Sequence, residues 1–218
     1  MPPGLFITFE GGEGSGKSTQ VRLLKKRLQR RRIPVTVVKE PGGTPLGDRL
    51  RYLLKFSDLP LTPEAELLLF NGSRAQLVSE VIRPAMEKSE VVLCDRFADS
   101  TVAYQGYGRG LSLETVEAVN NAATGGLKPN LTVFLDLAPE DGLARQTTNG
   151  DRFERGAEKR DVLDFHRRVH TGYLALARRE PERWHVIDAR LEKREVSRLV
   201  WQRVEPLVAG LSRGEGRR

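Results

Sequence analysis

The chain has 218 residues, 39% hydrophobic and 30% charged, with 36 lysines and arginines against 29 acids and a formal net charge of +7. A chain of this size can bury well over half of its unfolded surface, and the composition excludes collagen, mucin-like stalks and wholesale disorder. Its one cysteine, Cys94, excludes an intrachain disulfide, and no apolar run approaches the ~18 residues of a membrane span. Met1–Ile7 has no charged region ahead of a long apolar stretch, so no signal peptide is read there and a cytoplasmic protein is expected.

Leu5–Glu10 is a short apolar run, predicted as a strand buried on both faces. Directly after it comes Gly11-Gly12-Glu13-Gly14-Ser15-Gly16-Lys17-Ser18, which fits G-x-x-x-x-G-K-[ST], and then Thr19–Arg32 with helical periodicity. Strand before and helix after are the context in which such a loop holds phosphate. Its glycines let successive N–H groups converge, and the helix start adds its positive end. Gly11 through Thr19 are therefore expected to bind the phosphates of ATP, with Lys17 on the β- and γ-phosphates and Ser18 on Mg²⁺.

A second strand is predicted at Val35–Lys39, followed by helices at Leu46–Lys55 and Pro63–Lys88. Phe70 and Arg74, at i and i+4, project to one side of the latter helix, where a ring can stack on a base and a guanidinium can donate to a carbonyl. By composition alone Phe70 reads rather as core beside Leu67–Leu69. The strand Val91–Asp95 ends in a carboxylate, Asp95, placed to take the second side of the metal, and Arg96 follows as a bidentate fork for an acceptor phosphate. Ser100, Thr101 and Gln105 then offer hydroxyl and amide groups.

Further on, a helix is predicted at Leu113–Thr124 and a strand at Leu131–Leu137. Gln146–Asp161 is polar and glycine-containing and reads as a mobile lid. His166 and His170 lie i,i+4 on the next helix, Val162–Arg179, without the glutamate of a zinc hydrolase, and read as a solvated face. The strand Trp184–Asp188 and the helix Glu192–Val208 close the pattern, with Trp184 and Trp201 as packing residues and Cys94 as a buried small hydrophobe. Residues 1–211 are expected to form one domain, and 212–218 a flexible tail.

Strands alternating with helices imply an α/β three-layer sandwich, a five-stranded parallel sheet with helices on both faces. The chain contains neither D-x-x-G nor N-K-x-D, which removes a GTPase. Another P-loop nucleotide or metabolite kinase, and an ATP-regulated nucleic-acid-binding module using the basic first helix, remain open on these residues alone.

Several strings, in order, resemble the thymidylate kinase family: Phe9–Ser18, Lys39-Glu40-Pro41-Gly42-Gly43-Thr44, Leu69–Gln76, Asp95–Gly106, Leu131–Pro139, Asp151-Arg152-Phe153-Glu154 and Val186-Ile187-Asp188-Ala189. The resemblance runs from Gly4 to Leu207. It implies a P-loop kinase fold with a mobile lid, and phosphoryl transfer from ATP to dTMP giving dTDP and ADP in dTTP biosynthesis. It also implies Mg²⁺, a homodimer, and neither nucleic acid nor membrane as partner. By the same resemblance Phe70 stacks on thymine and Arg74 bonds its exocyclic oxygen, while Arg51 joins Arg96 on the dTMP phosphate. Tyr104 crowds the sugar 2′ position, and Glu13 lies near the 3′-hydroxyl.

Family members without a basic residue in the variable P-loop positions carry lid arginines. Here Thr147 and Asn149 stand where such arginines are expected, leaving Arg145 and Arg152, with Arg155, for the transition state. Lys39 stands where arginine is commoner. The acceptor phosphate, with a second pKa near ~6, needs no general base.

The positive excess is local. Residues 20–33 hold seven lysines and arginines and no acid, equal to the charge of the whole chain. These cations are expected on the exposed side and far end of the first helix, where they favour its negative C-terminus, rather than in the site.

Overall fold

The computed structural model describes residues 4–145 and 159–212. Five strands, β1 (Leu5–Glu10), β2 (Val35–Lys39), β3 (Val91–Asp95), β4 (Leu131–Asp136) and β5 (Trp184–Asp188), pair in parallel in the order β2-β3-β1-β4-β5. Parallel pairing requires a crossover between successive strands, and the helices supply it. They are α1 (Lys17–Arg30), α2 (Pro45–Lys55), α3 (Pro63–Leu77), α4 (Arg83–Glu87), α5 (Ala98–Thr101), α6 (Leu113–Thr124), α7 (Pro139–Ala144), α8 (Lys159–Arg179) and α9 (Lys193–Ser212).

Alternation along the strands splits the core in two. On β1, Leu5, Ile7 and Phe9 face α1 and α9, packing with Leu24, Leu28, Val200 and Val204, whereas Phe6 faces the opposite layer with Leu77, Ile82 and Phe97. On that second side Phe134, Tyr173 and Trp184 join β4 and β5 to α8. The predicted three-layer sandwich is the fold observed.

Three local differences have physical causes. The helix predicted over Pro63–Lys88 passes through a π-helical segment, Val78–Ile82, before α4. Pro84 sits in the first turn of α4 and has no N–H to return to the preceding turn, so the regular ladder cannot run through. The stretch after β3, where the periodicity predicts no element, is α5 continued by a π-helical segment, Val102–Gly108. Its glycines serve close packing: a Cβ on Gly108 would lie 2.7 Å from Cε2 of Phe165 in α8. The short α7 also escaped the periodicity reading, being under two turns long.

The cations of the basic helix lie mostly on its exposed side and far end, as expected, and two of them also pack. Arg27 and Arg31 lie 4.4 and 4.5 Å from the ring centroid of buried Trp201 on α9, and Arg31 pairs with Glu205 at 2.9 Å. Part of the positive run thus clamps one helix to another through cation–π contact. His166 departs from the expected solvated face. It is buried, edge-on to Phe165 and Tyr104, while only His170 remains half-exposed and bonds Asp136 at 2.6 Å. No described helix is long and apolar enough to cross a membrane.

Candidate active site

Open α/β sheets bind ligands beyond the carboxyl ends of their strands. Register brings Phe9 of β1 opposite Asp95 of β3, so the loop after β1 and the Asp95-Arg96 pair emerge side by side. Gly16, with φ 90°, occupies the left-handed region as the chain turns into α1, a conformation that disfavours any side chain.

Lys17 is buried and its Nζ donates to the carbonyls of Gly11 and Gly12 at 3.1 and 2.8 Å and to Ser15 Oγ at 3.4 Å. Burial, with Arg96 adding repulsion, brings its pKa down to about 8. Ser18 Oγ donates to Asp95 Oδ2 at 2.5 Å, which joins one hydroxyl and one carboxylate at the mouth of the cleft. Lys17, Ser18, Asp95, Arg51, Lys39 and Arg96 share a cleft of about 460 Å³. Arg51 reaches it from α2, its Nη1 bonded to the Pro41 carbonyl at 2.9 Å.

Arg96 is the hinge between this cleft and a deeper recess. Its φ of 70° is strained for a residue with a Cβ, and three bonds hold it there. Its N–H donates to the Phe9 carbonyl, its carbonyl accepts from Cys94 Sγ, and the next N–H, of Phe97, donates to Glu10 Oε1 at 2.8 Å. The guanidinium donates to Glu13 at 2.6 Å, Tyr104 Oη at 3.0 Å, Tyr173 Oη at 3.1 Å and Ser100 Oγ at 3.3 Å. Burial works against ionised Glu13, but Arg96, then Lys17 and Lys55, hold its carboxyl well below the usual range.

Beneath Arg96 lies an acid that sequence reasoning missed. Glu10 accepts from Ser100 Oγ at 2.5 Å and Tyr173 Oη at 3.0 Å, and burial together with Asp99 raises its pKa to about 7. Asp99 is in turn bonded by Arg183 at 2.6 Å. Nothing in the pattern distinguishes Glu10 from a strand-end acid, and Tyr173 reads as ordinary helix core.

The recess is lined by Phe70, Arg74, Thr101, Tyr104 and Gln105, with Glu40 and Lys55, so Phe70 is half-buried at a wall rather than in the core. Arg74 is 1% exposed. Its Nε and one Nη2 proton go to Glu40 Oε2 at 2.9 and 2.7 Å, and the other Nη2 proton to Thr101 Oγ1 at 2.9 Å. The Nη1 protons go to Asn71 and Asn120 at 3.0 and 2.8 Å. All five guanidinium donors are thereby engaged within the protein.

Arg145 lies beside the phosphate loop, its Cβ 3.1 Å from where a Cβ on Gly14 would stand, and donates to the Ala189 carbonyl at 3.4 Å. Arg152, Arg155 and most of the expected lid, residues 146–158, lie outside the described residues, as do tail residues 213–218. Among the described residues no group of three or more His, Cys, Asp or Glu gathers to hold a metal alone.

A family model described as thymidylate kinase matches residues 9–200. A thymidylate kinase of Synechococcus sp. (strain JA-3-3Ab) is 53% identical, over 96% of this chain and 100% of its own. One from Deinococcus radiodurans is 50% identical, over 94% of this chain and 98% of its own. The crystal structure of thymidylate kinase from Ehrlichia chaffeensis superposes with a TM-score of 0.70 at 34% identity, covering 85% of this chain and 93% of that one.

Proposed function

The chain belongs to the thymidylate kinase family, and on that premise we propose how its residues carry out ATP-dependent phosphorylation of dTMP to dTDP. The observation that carries the assignment of sides is Arg96, which stands between the phosphate cleft and the recess and lines both. ATP phosphates are held by Gly11 through Thr19, with Lys17 surrendering its carbonyl partners to them. dTMP enters the recess with its base against Phe70, its sugar near Tyr104 and Glu13, and its phosphate toward Arg96 and Arg51.

Ser18 and Asp95 suit Mg²⁺, a hard cation that is bound through few protein oxygens together with substrate phosphates. When bound, the ion neutralises charge on the nucleotide phosphates. Lys17 and Arg96, with Arg145 and Arg152, do the remaining electrostatic work. The dTMP phosphate is already largely ionised at neutral pH, so alignment of two polyanions and charge neutralisation suffice. The ATP and dTMP substrates, with Cys94 free and buried, support a cytoplasmic location.

The direct test is ADP release with dTMP, dUMP, UMP, CMP, AMP and GMP as acceptors, with and without EDTA. Turnover is expected to be highest with dTMP and to vanish on chelation; a flat acceptor profile would remove the recess assignment, and EDTA-resistant turnover the Mg²⁺ site.

We also propose a homodimer. Tyr52, Phe56, Leu59 and Leu68, on α2, the following segment and α3, are 52–63% exposed, an apolar surface that a second copy could cover. Sedimentation at micromolar concentration is expected to give twice the chain mass, and a monomer would overturn this.

A further inference from the structure

Gln105 carries an amide whose two ends have opposite hydrogen-bonding character, and which end faces the recess decides what base edge can be read. The side chain is 2% exposed, at the wall of the recess. Its Nε2 donates to Glu66 Oε1 at 2.7 Å. Glu66, on α3, is itself 1% exposed and paired with Arg109, whose Nη2 lies 3.3 Å from Oε2 and whose guanidinium stacks 5.0 Å from the centroid of Phe165. A carboxylate in such a pair has only acceptors to offer. The amide of Gln105 must therefore turn its NH₂ to Glu66 and its carbonyl oxygen the other way.

Resting on the acceptor reading above, we propose that Glu66 is a positioning residue that sets the polarity of the base-reading edge. It holds Gln105 with Oε1 toward the recess, so that a base presenting a ring N–H is accepted and cytosine is refused. Thr101 completes the edge. Its Oγ1 accepts from Arg74 Nη2, which leaves the hydroxyl proton to donate beside the Gln105 acceptor. An acceptor next to a hydroxyl matches the ring N–H and O4 of thymine, whereas cytosine sets its own ring acceptor against Gln105 Oε1; the hydroxyl, with a second lone pair, can serve either base, so Gln105 carries the discrimination. Arg74, with its donors engaged by other residues, steadies this edge.

The test is Glu66→Gln, whose new amide can donate to Gln105 Oε1 and so permits the flipped state. The preference for dTMP over dCMP in kcat/KM is expected to fall about tenfold or more. KM for dTMP should rise more than kcat falls, and Glu66→Asp, still an acceptor, should retain the preference. Parallel losses for both nucleotides, or an unchanged ratio, would overturn the proposal and make Glu66 a packing residue. Absence of a dTMP preference in the wild type would instead overturn the acceptor reading.

Should Glu66→Gln not fold, the wild-type protein decides by NMR. The side-chain amide protons of Gln105, identified by their loss in Gln105→Met, should be protected from solvent exchange both without and with dTMP. Protection only when dTMP is present would show the NH₂ facing the nucleotide and overturn the proposal.

Discussion

Arg96→Ala is expected to lower kcat with dTMP by about 10³-fold, the scale of a single arginine on a transferring phosphoryl group, while leaving ATP affinity nearly unchanged. Arg96 sits at the end of β3 in a strained conformation that only surrounding bonds maintain, and such strain is kept where the position of a side chain matters. Its guanidinium contacts Glu13, Ser100, Tyr104 and Tyr173 at 2.6–3.3 Å, so the protein's own groups orient the fork. Preorganised charge of this kind acts without reorganisation in the transition state.

ATP binding should survive because Arg96 is one of the groups that depress Lys17. Without it, Lys17 holds its proton more readily. Arg96→Lys keeps the charge but not the fork, and should recover only a minor part of the loss. Steady-state kinetics with dTMP, alongside calorimetric titration of ATP, separate the outcomes. A matching loss of ATP affinity would move Arg96 to the donor side, and an unchanged kcat would remove it from the chemistry.

Arg74→Ala is expected to destabilise the fold by about 3–5 kcal/mol, the cost of removing one partner from a buried ion pair. For a chain of this size that corresponds to a Tm lower by roughly 10 °C. The effect arises because Glu40, 6% exposed, relies on Arg74 for its charged partner, and burial already raises its pKa. Glu40 Oε1 has no hydrogen-bond partner among the described residues, so loss of Arg74 would leave the whole carboxylate orphaned. Asn71, Asn120 and Thr101 would lose donors in the same step.

A double variant, Arg74→Met with Glu40→Met, should recover much of the stability, since apolar groups of similar volume need no partners. Thermal unfolding followed by circular dichroism measures both. A Tm within about 2 °C of wild type for Arg74→Ala, below the shift of even 1 kcal/mol, with only a raised KM for dTMP, would make Arg74 a ligand contact with no structural part.

These two arginines mark different distances between sequence and site. Arg96 adjoins Asp95 at a strand end, so its place at the cleft follows from the strand pattern alone. What surrounds it comes from Glu13, Glu10 and Tyr173, brought from separate elements by the order of the strands and the packing of α8. Arg74 and Phe70 share a helix face as their spacing requires. Yet i,i+4 geometry says nothing about which donors are already taken, and Glu40 lies 34 residues and Asn120 46 residues away in the chain. Glu66 is a plain first-turn helix acid until Gln105 and Arg109 are folded against it.

The sequence by itself determined the alternation of strands and helices, the phosphate loop between β1 and α1, and the placing of Lys17 and Ser18 at the start of α1 and of Asp95 at a strand end. These depend on backbone conformation and nearest neighbours, which are written locally. Only the tertiary structure decided which charges are paired, which are buried and which way an amide faces. Burial pushes Lys17 down and Glu10 up, engages every donor of Arg74 and seals His166 among aromatic rings. Hydrogen-bond satisfaction and desolvation are properties of the whole neighbourhood, and that neighbourhood exists only after long-range packing has assembled it.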